Sequence, residues 1–112
     1  MNTHQLKYLW DIDESIRHIE IFTGELTGFS DYENDLLVKR AVERELEIIG
    51  EAMSNLLMLQ TDIKITDGRR IVDLRNRIIH GYASVDDGVI WGVLKRHLPL
   101  LKIEVRTLLG KK

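Results

Sequence analysis

Residues 31–59 read DYENDLLVKRAVERELEIIGEAMSNLLML, and this stretch decides the fold. Leu36, Val42, Leu46, Ile49, Met53 and Leu56 or Leu57 recur at helical spacing, one apolar stripe with charged residues between. Asp31 stands where a cap belongs, with Glu33 and Asp35 in a first turn whose dipole favours carboxylates. The stripe predicts one long helix ending near Leu59. Gly50 lies within it at a cost of about 1 kcal/mol relative to alanine, and a glycine there marks a close helix crossing.

The flanking segments repeat the pattern. Upstream, Leu6, Leu9, Ile12, Ile16, Ile19 and Phe22 or Leu26 lie three and four apart, and Thr27-Gly28-Phe29-Ser30 supplies a helix-ending glycine. Downstream, Gln60–Thr66 breaks the periodicity. Thr66 or Asp67 then caps a third helix carrying Ile71, Leu74, Ile78 and Ile79, ended by Gly81. Asp86 or Asp87 opens a fourth through Val89, Ile90, Val93, Leu94, Leu98, Leu101, Val105 and Leu108 or Leu109. Pro99 inside it predicts a kink or break, because proline lacks the amide proton and clashes with the preceding turn.

No strand-type alternation, repeat or linker competes. The 112 residues predict a single all-α domain spanning 1–112, a four- to five-helix bundle. In so small a domain, Trp10, Trp91, Met53 and Met58 are either monomer core or apolar surface that a second copy covers; the pattern does not choose.

Composition narrows the chemistry. The chain has no cysteine, which excludes thiol nucleophiles, Cys-ligated zinc, iron–sulfur clusters and a disulfide scaffold. His4, His18 and His97 form no recognisable ligand pair, so no metal and no other cofactor is expected. No run approaches the ~18 apolar residues of a membrane span. Met1–Trp10 is too polar for a signal peptide, so a cytoplasmic protein without a membrane partner is predicted.

The net charge of −2 conceals an asymmetry. Residues 1–63 carry 5 Lys/Arg against 13 Asp/Glu, a net of −8, and residues 64–112 carry 11 against 5, a net of +6. A polyanionic partner for the basic half, or complementary packing of two chains, would each use that polarity.

Functional groups concentrate in one place, Asp73-Leu-Arg75-Asn76-Arg77-Ile-Ile-His80-Gly-Tyr82. Arg75 can fork onto two phosphate oxygens. His80 is the side-chain type poised to give and take a proton near neutral pH. Asn76 lies four residues earlier, about 40° away around a helix, where its amide can hold the imidazole. Arg75 and His80 are five apart and so diverge by about 140°. To act on one phosphate they need either a distorted helix or a site completed by a second chain across a two-fold axis.

These groups suit metal-independent cleavage of RNA, whose 2′-hydroxyl is an internal nucleophile that needs only a base, an acid and a cation on the phosphorus charge. Arg69, Arg70 and Arg77, with Lys64 and Arg75, give residues 64–82 five positive charges against Asp67 and Asp73, enough to hold a phosphate backbone.

Arg75–Tyr82 reads R-N-x3-H-x-Y and follows the Ala41–Ala52 stretch AVERELEIIGEA in a short helical chain. In this the chain resembles the HepT-like toxins of the HEPN superfamily over most of its length. The resemblance implies a dimeric endoribonuclease of a toxin–antitoxin module, with Arg75 and His80 of two chains facing each other in a cleft and Asn76 in support. It implies an MNT-type nucleotidyltransferase antitoxin as partner, transferring AMP to Tyr82 and so silencing the site. Many relatives carry a Pro-Trp pair where this chain has Ile65-Thr66-Asp67-Gly68-Arg69-Arg70, a departure that bears on the loop's shape.

Each residue also has a plainer reading. Arg75 can pair with Asp73 or an acid of the second helix, and His80 can sit against the helix dipole. Asn76 can bond backbone, and Tyr82 can pack on the fourth helix. Glu43, Glu45, Glu47 and Glu51 read as a solvated face with Arg40 and Arg44 as four-apart partners, except that Glu51 is placed to orient Arg75. The alternative to a nuclease is a non-catalytic HEPN module that binds a nucleotide or docks a nucleotidyltransferase.

Overall fold

A computed structural model describes residues 1–81 and 85–111. All regular structure among them is helical: α1 (Thr3–Thr23), α2 (Phe29–Glu33), α3 (Leu36–Leu59), α4 (Gly68–His80), α5 (Asp87–Gly92), a π-helical turn (Val93–His97) and α6 (Leu98–Leu108). With the last three segments running on as one interrupted helix, this is the expected bundle. No helix of the described residues is long and apolar enough to cross a membrane.

The α1 and α3 stripes meet in the centre. Leu9, Ile12, Ile16 and Ile19 pack with Val42, Leu46, Ile49, Met53 and Leu56, all buried. Each fully buried aliphatic side chain in this seam contributes about 1.5–3 kcal/mol. Asn2 and Gln5 cap α1 reciprocally, each side chain accepting the other's backbone N–H at 2.9 Å. Trp10 and Met58 stay on the surface at 49% and 80% exposure, whereas Met53 is core.

The single long helix expected over residues 31–59 divides in two. Asn34 and Asp35 leave helical geometry between α2 and α3, and the cap of α3 is Asp35, whose carboxylate accepts the Val38 N–H at 3.0 Å. Asp31 instead accepts the Thr27 N–H and hydroxyl at 2.8 and 2.7 Å, bonds that hold its carboxyl below the usual range. The break lets α2 turn Tyr32 inward, fully buried against Trp91. Leu36, counted in the apolar stripe, is consequently exposed at the helix entry. Replacing Asp35 by alanine is expected to cost about 1 kcal/mol in chemical denaturation, the ordinary worth of an N-cap.

Pro99 acts one turn upstream of itself. The Leu98 N–H bonds the Val93 carbonyl, five residues back, and Pro99 falls in the first turn of α6, where its missing N–H is tolerated. Part of the charge asymmetry is used inside the chain. Lys102 reaches Glu20 at 2.8 Å, and Arg106 and Lys111 reach Asp13 at 3.5 and 3.1 Å, fastening the basic C-terminal helix to α1.

Candidate active site

Asp73 to His80 of the polar stretch lie on α4, which crosses α3 at very short range. A Cβ on Gly50 would stand 2.2 Å from Arg75 Cβ, 2.7 Å from its Cγ and 3.3 Å from the Ile71 carbonyl oxygen. A Cβ on Gly68 would stand 3.2 Å from Met53 Cε. Gly50 is therefore the slot that admits the stem of Arg75, the close crossing that its helix-weakening presence announced.

Arg75 is half-buried. Its Nη1 donates to Asn76 Oδ1 at 3.0 Å, and its buried Nε has no hydrogen-bond partner among the described residues. Neither Asp73 nor Glu51 pairs with it: Glu51 is exposed, and no ion pair of Arg75 is found among the described residues. The guanidinium is thus held by its stem and by one neutral amide, with N–H donors left for an anion.

Asn76 turns to Arg75 and not to His80. A guanidinium is the stronger donor, and a charge-assisted bond outcompetes one to imidazole. His80 stands exposed in the last turn of α4, the Gly81 N–H closing that turn on the Arg77 carbonyl at 2.9 Å. The helix is regular from Gly68 to His80, so local distortion does not bring Arg75 and His80 together. Tyr82 lies outside the described residues.

Arg69 and Arg77 are exposed on α4, away from the core. Arg70 is tied: its Nη1 donates to His97 Nε2 at 3.0 Å, while His97 Nδ1 lies 2.9 Å from Asp67 Oδ2. A guanidinium can only donate, so Nε2 is the accepting nitrogen in this arrangement and Nδ1 is the one that faces the carboxylate. The Asp67–His97–Arg70 chain has no signature in the sequence, where His97 stands as an isolated histidine. Thirty residues separate the acid from the imidazole, and the π turn changes which side chains downstream share a face, so spacing carries no signal. His18 likewise pairs with Glu45 at 3.0 Å. Arg40 and Arg44 pair with Glu43 and Glu47 three residues on, at 3.9 and 3.1 Å, and not with residues four away.

The unusual approach to α4 is secured by polar bonds. Glu104 accepts the Thr66 N–H at 3.0 Å and its hydroxyl at 2.7 Å, and Asp67, freed from capping α4, holds His97.

A family model described as ribonuclease HepT-like matches residues 12–108, and the matched span contains the whole crossing and motif. The chain belongs to the HepT-like family. It is 40% identical over 99 residues to a protein of Thermococcus cleftensis named a probable ribonuclease HepT, covering 85% of this chain and 86% of that one. A Methanocaldococcus jannaschii protein named as a candidate RNase is 32% identical over 99 residues, covering 88% and 90%. Another from that organism, named as a gamma-glutamylcyclotransferase and candidate RNase, is 36% identical over 99 residues, which are 88% of this chain but 44% of that protein. No solved structure gives a significant match. Arg75, Asn76 and His80 thus lie within the matched span, on the helix whose Arg75 stem packs against Gly50.

Proposed function

We propose that this HepT-like chain is a metal-independent endoribonuclease toxin of a toxin–antitoxin pair, acting as a homodimer whose two α4 helices form one composite cleft. A ribonuclease-type function is supported by the family match and by the relatives' names. The finer reading is carried by one observation: Arg75 is fixed by its stem in the α3–α4 crossing, while His80 stands free at the end of the same regular helix. One chain presents the two on divergent faces, and a two-fold partner supplies the counterpart of each.

In that cleft the RNA 2′-hydroxyl gives up its proton to a base and attacks the adjacent phosphorus. The P–O5′ bond breaks, the leaving oxygen takes a proton, and the products are a 2′,3′-cyclic phosphodiester and a 5′-hydroxyl. His80 serves as general acid or base, Arg75 neutralises the extra charge on phosphorus, and Asn76 steadies Arg75. The nucleotidyltransferase antitoxin transfers AMP from ATP to the Tyr82 hydroxyl with release of pyrophosphate. Two residues beyond His80, the added phosphate competes for Arg75 and its bulk obstructs RNA.

The test is incubation of the purified protein, with Tyr82 shown by intact mass to be unmodified, with RNA and with DNA of the same sequence. Cyclic-phosphate RNA ends, intact DNA and indifference to EDTA are expected. Intact RNA would refute the nuclease and favour the non-catalytic binding module.

A further inference from the structure

The surface cations fall into two groups. On α1 and α3, Lys7 pairs with Asp11, Arg17 with Glu14, Lys39 with Asp87 and Arg44 with Glu47. Arg77 on α4 and Arg96 in the π turn have no acidic partner among the described residues. Both line one groove of about 530 Å³ between α4 and the run from α5 through the π turn. Arg70 extends its basic wall with His97 beside it, and Asp73 is the acid among its lining residues. Val89 and Val93 give it an apolar side, and at Gly92 a Cβ would meet nothing within 4 Å, so the wall there is open to a ligand.

We propose that this groove seats a nucleotide of the RNA substrate outside the scissile phosphodiester, with Arg77 and Arg96 on its phosphate and its base against Val89 and Val93. This rests on the ribonuclease reading above, and adds to it a place for Arg77 and a role for Arg96. The groove is large enough for a nucleotide. Its pairing of free guanidinium groups with an apolar side matches a phosphate joined to a base better than it matches an acidic protein side chain, which needs no apolar wall. Guanidinium groups left without carboxylates are the ones a polyanion can use without breaking an existing pair.

His97 is a positioning residue in this arrangement. With Nδ1 2.9 Å from Asp67 and Nε2 3.0 Å from Arg70 Nη1, it holds Arg70 at the edge of the groove. Arg96 and His97, both in the π turn, line the same groove as α4.

The experiment uses fluorescence anisotropy of a labelled single-stranded RNA bound to the full chain carrying His80→Ala, so that the probe is not cut. Adding Arg77→Ala or Arg96→Ala is expected to weaken binding about 5–10-fold and to lower the salt slope by roughly 0.7 for each phosphate no longer neutralised. Lys7→Ala on α1 is expected to leave both unchanged. His97→Ala is expected to weaken binding a few-fold, and His97→Gln, whose carbonyl can still accept from Arg70, to restore part of it. In the chain with His80 intact, Arg96→Ala is expected to raise KM more than it lowers kcat. Unchanged affinity and salt slope in the Arg77→Ala, Arg96→Ala double variant would overturn the proposal and leave the groove to a protein partner, while cleavage by the unaltered chain would still uphold the ribonuclease reading. RNA bound through Arg96 but never cut would sink that reading and keep the groove.

Discussion

Arg75→Ala and His80→Ala are each expected to lower RNA cleavage by about 100-fold or more while leaving a folded protein. General acid–base catalysis contributes about 10²–10⁴-fold and a preorganised charge on the transition state a similar factor. His80 is exposed and its side chain makes no hydrogen bond among the described residues, so its removal takes away chemistry and little packing. Arg75 differs, because its stem fills the slot over Gly50. Arg75→Met keeps that stem and is the better control: its melting temperature is expected to stay near that of the unaltered chain while activity falls as far as with alanine. Arg75→Lys keeps the charge but not the two-pronged grip, and an intermediate rate is expected. Cleavage persisting in both alanine variants would remove this motif from the mechanism.

Gly50→Ala is expected to destabilise the protein by about 2 kcal/mol or more, although alanine is the better helix former by about 1 kcal/mol. The new methyl would meet Arg75 Cβ at 2.2 Å, an atom next to the backbone that cannot swing aside, so α4 itself must retreat from α3. For a domain of this size the penalty corresponds to a fall of roughly 10 °C in melting temperature. Because the retreat carries Arg75 with it, cleavage is expected to drop well below the melting transition, where the chain is still folded. A more stable variant, as helix propensity alone dictates, would mean that the crossing opens without cost.

The long elements are legible in the sequence and the irregular ones are hidden. The stripes of α1, α3 and α4 repeat often enough to declare their period, and Gly50 stands out because nothing about helix formation calls for it. The break at Asn34 and Asp35 does not, since the five residues of α2 are too few to show a period and both segments carry acids where a cap belongs. Pro99 announces a disturbance without its kind; the π turn resolves it by moving one hydrogen bond out by a residue. At the site, the residue types of Arg75 and His80 and their angular divergence follow from spacing on a helix. The bond between Arg75 and Asn76 depends on which donor wins, and the Asp67–His97–Arg70 chain depends on bonds between segments thirty residues apart, neither of which periodicity encodes.

Convergence of Arg75 and His80 from different chains is measured most directly in heterodimers. Arg75→Met and His80→Ala chains are co-expressed with different affinity tags and the mixed species is isolated through both. About half of the unaltered dimer's RNA cleavage is predicted, since one of the two Arg75–His80 pairs that the two-fold places in the shared cleft stays intact while each parent homodimer is inactive. Mixed dimers as inactive as their parents would contradict a cleft shared between subunits.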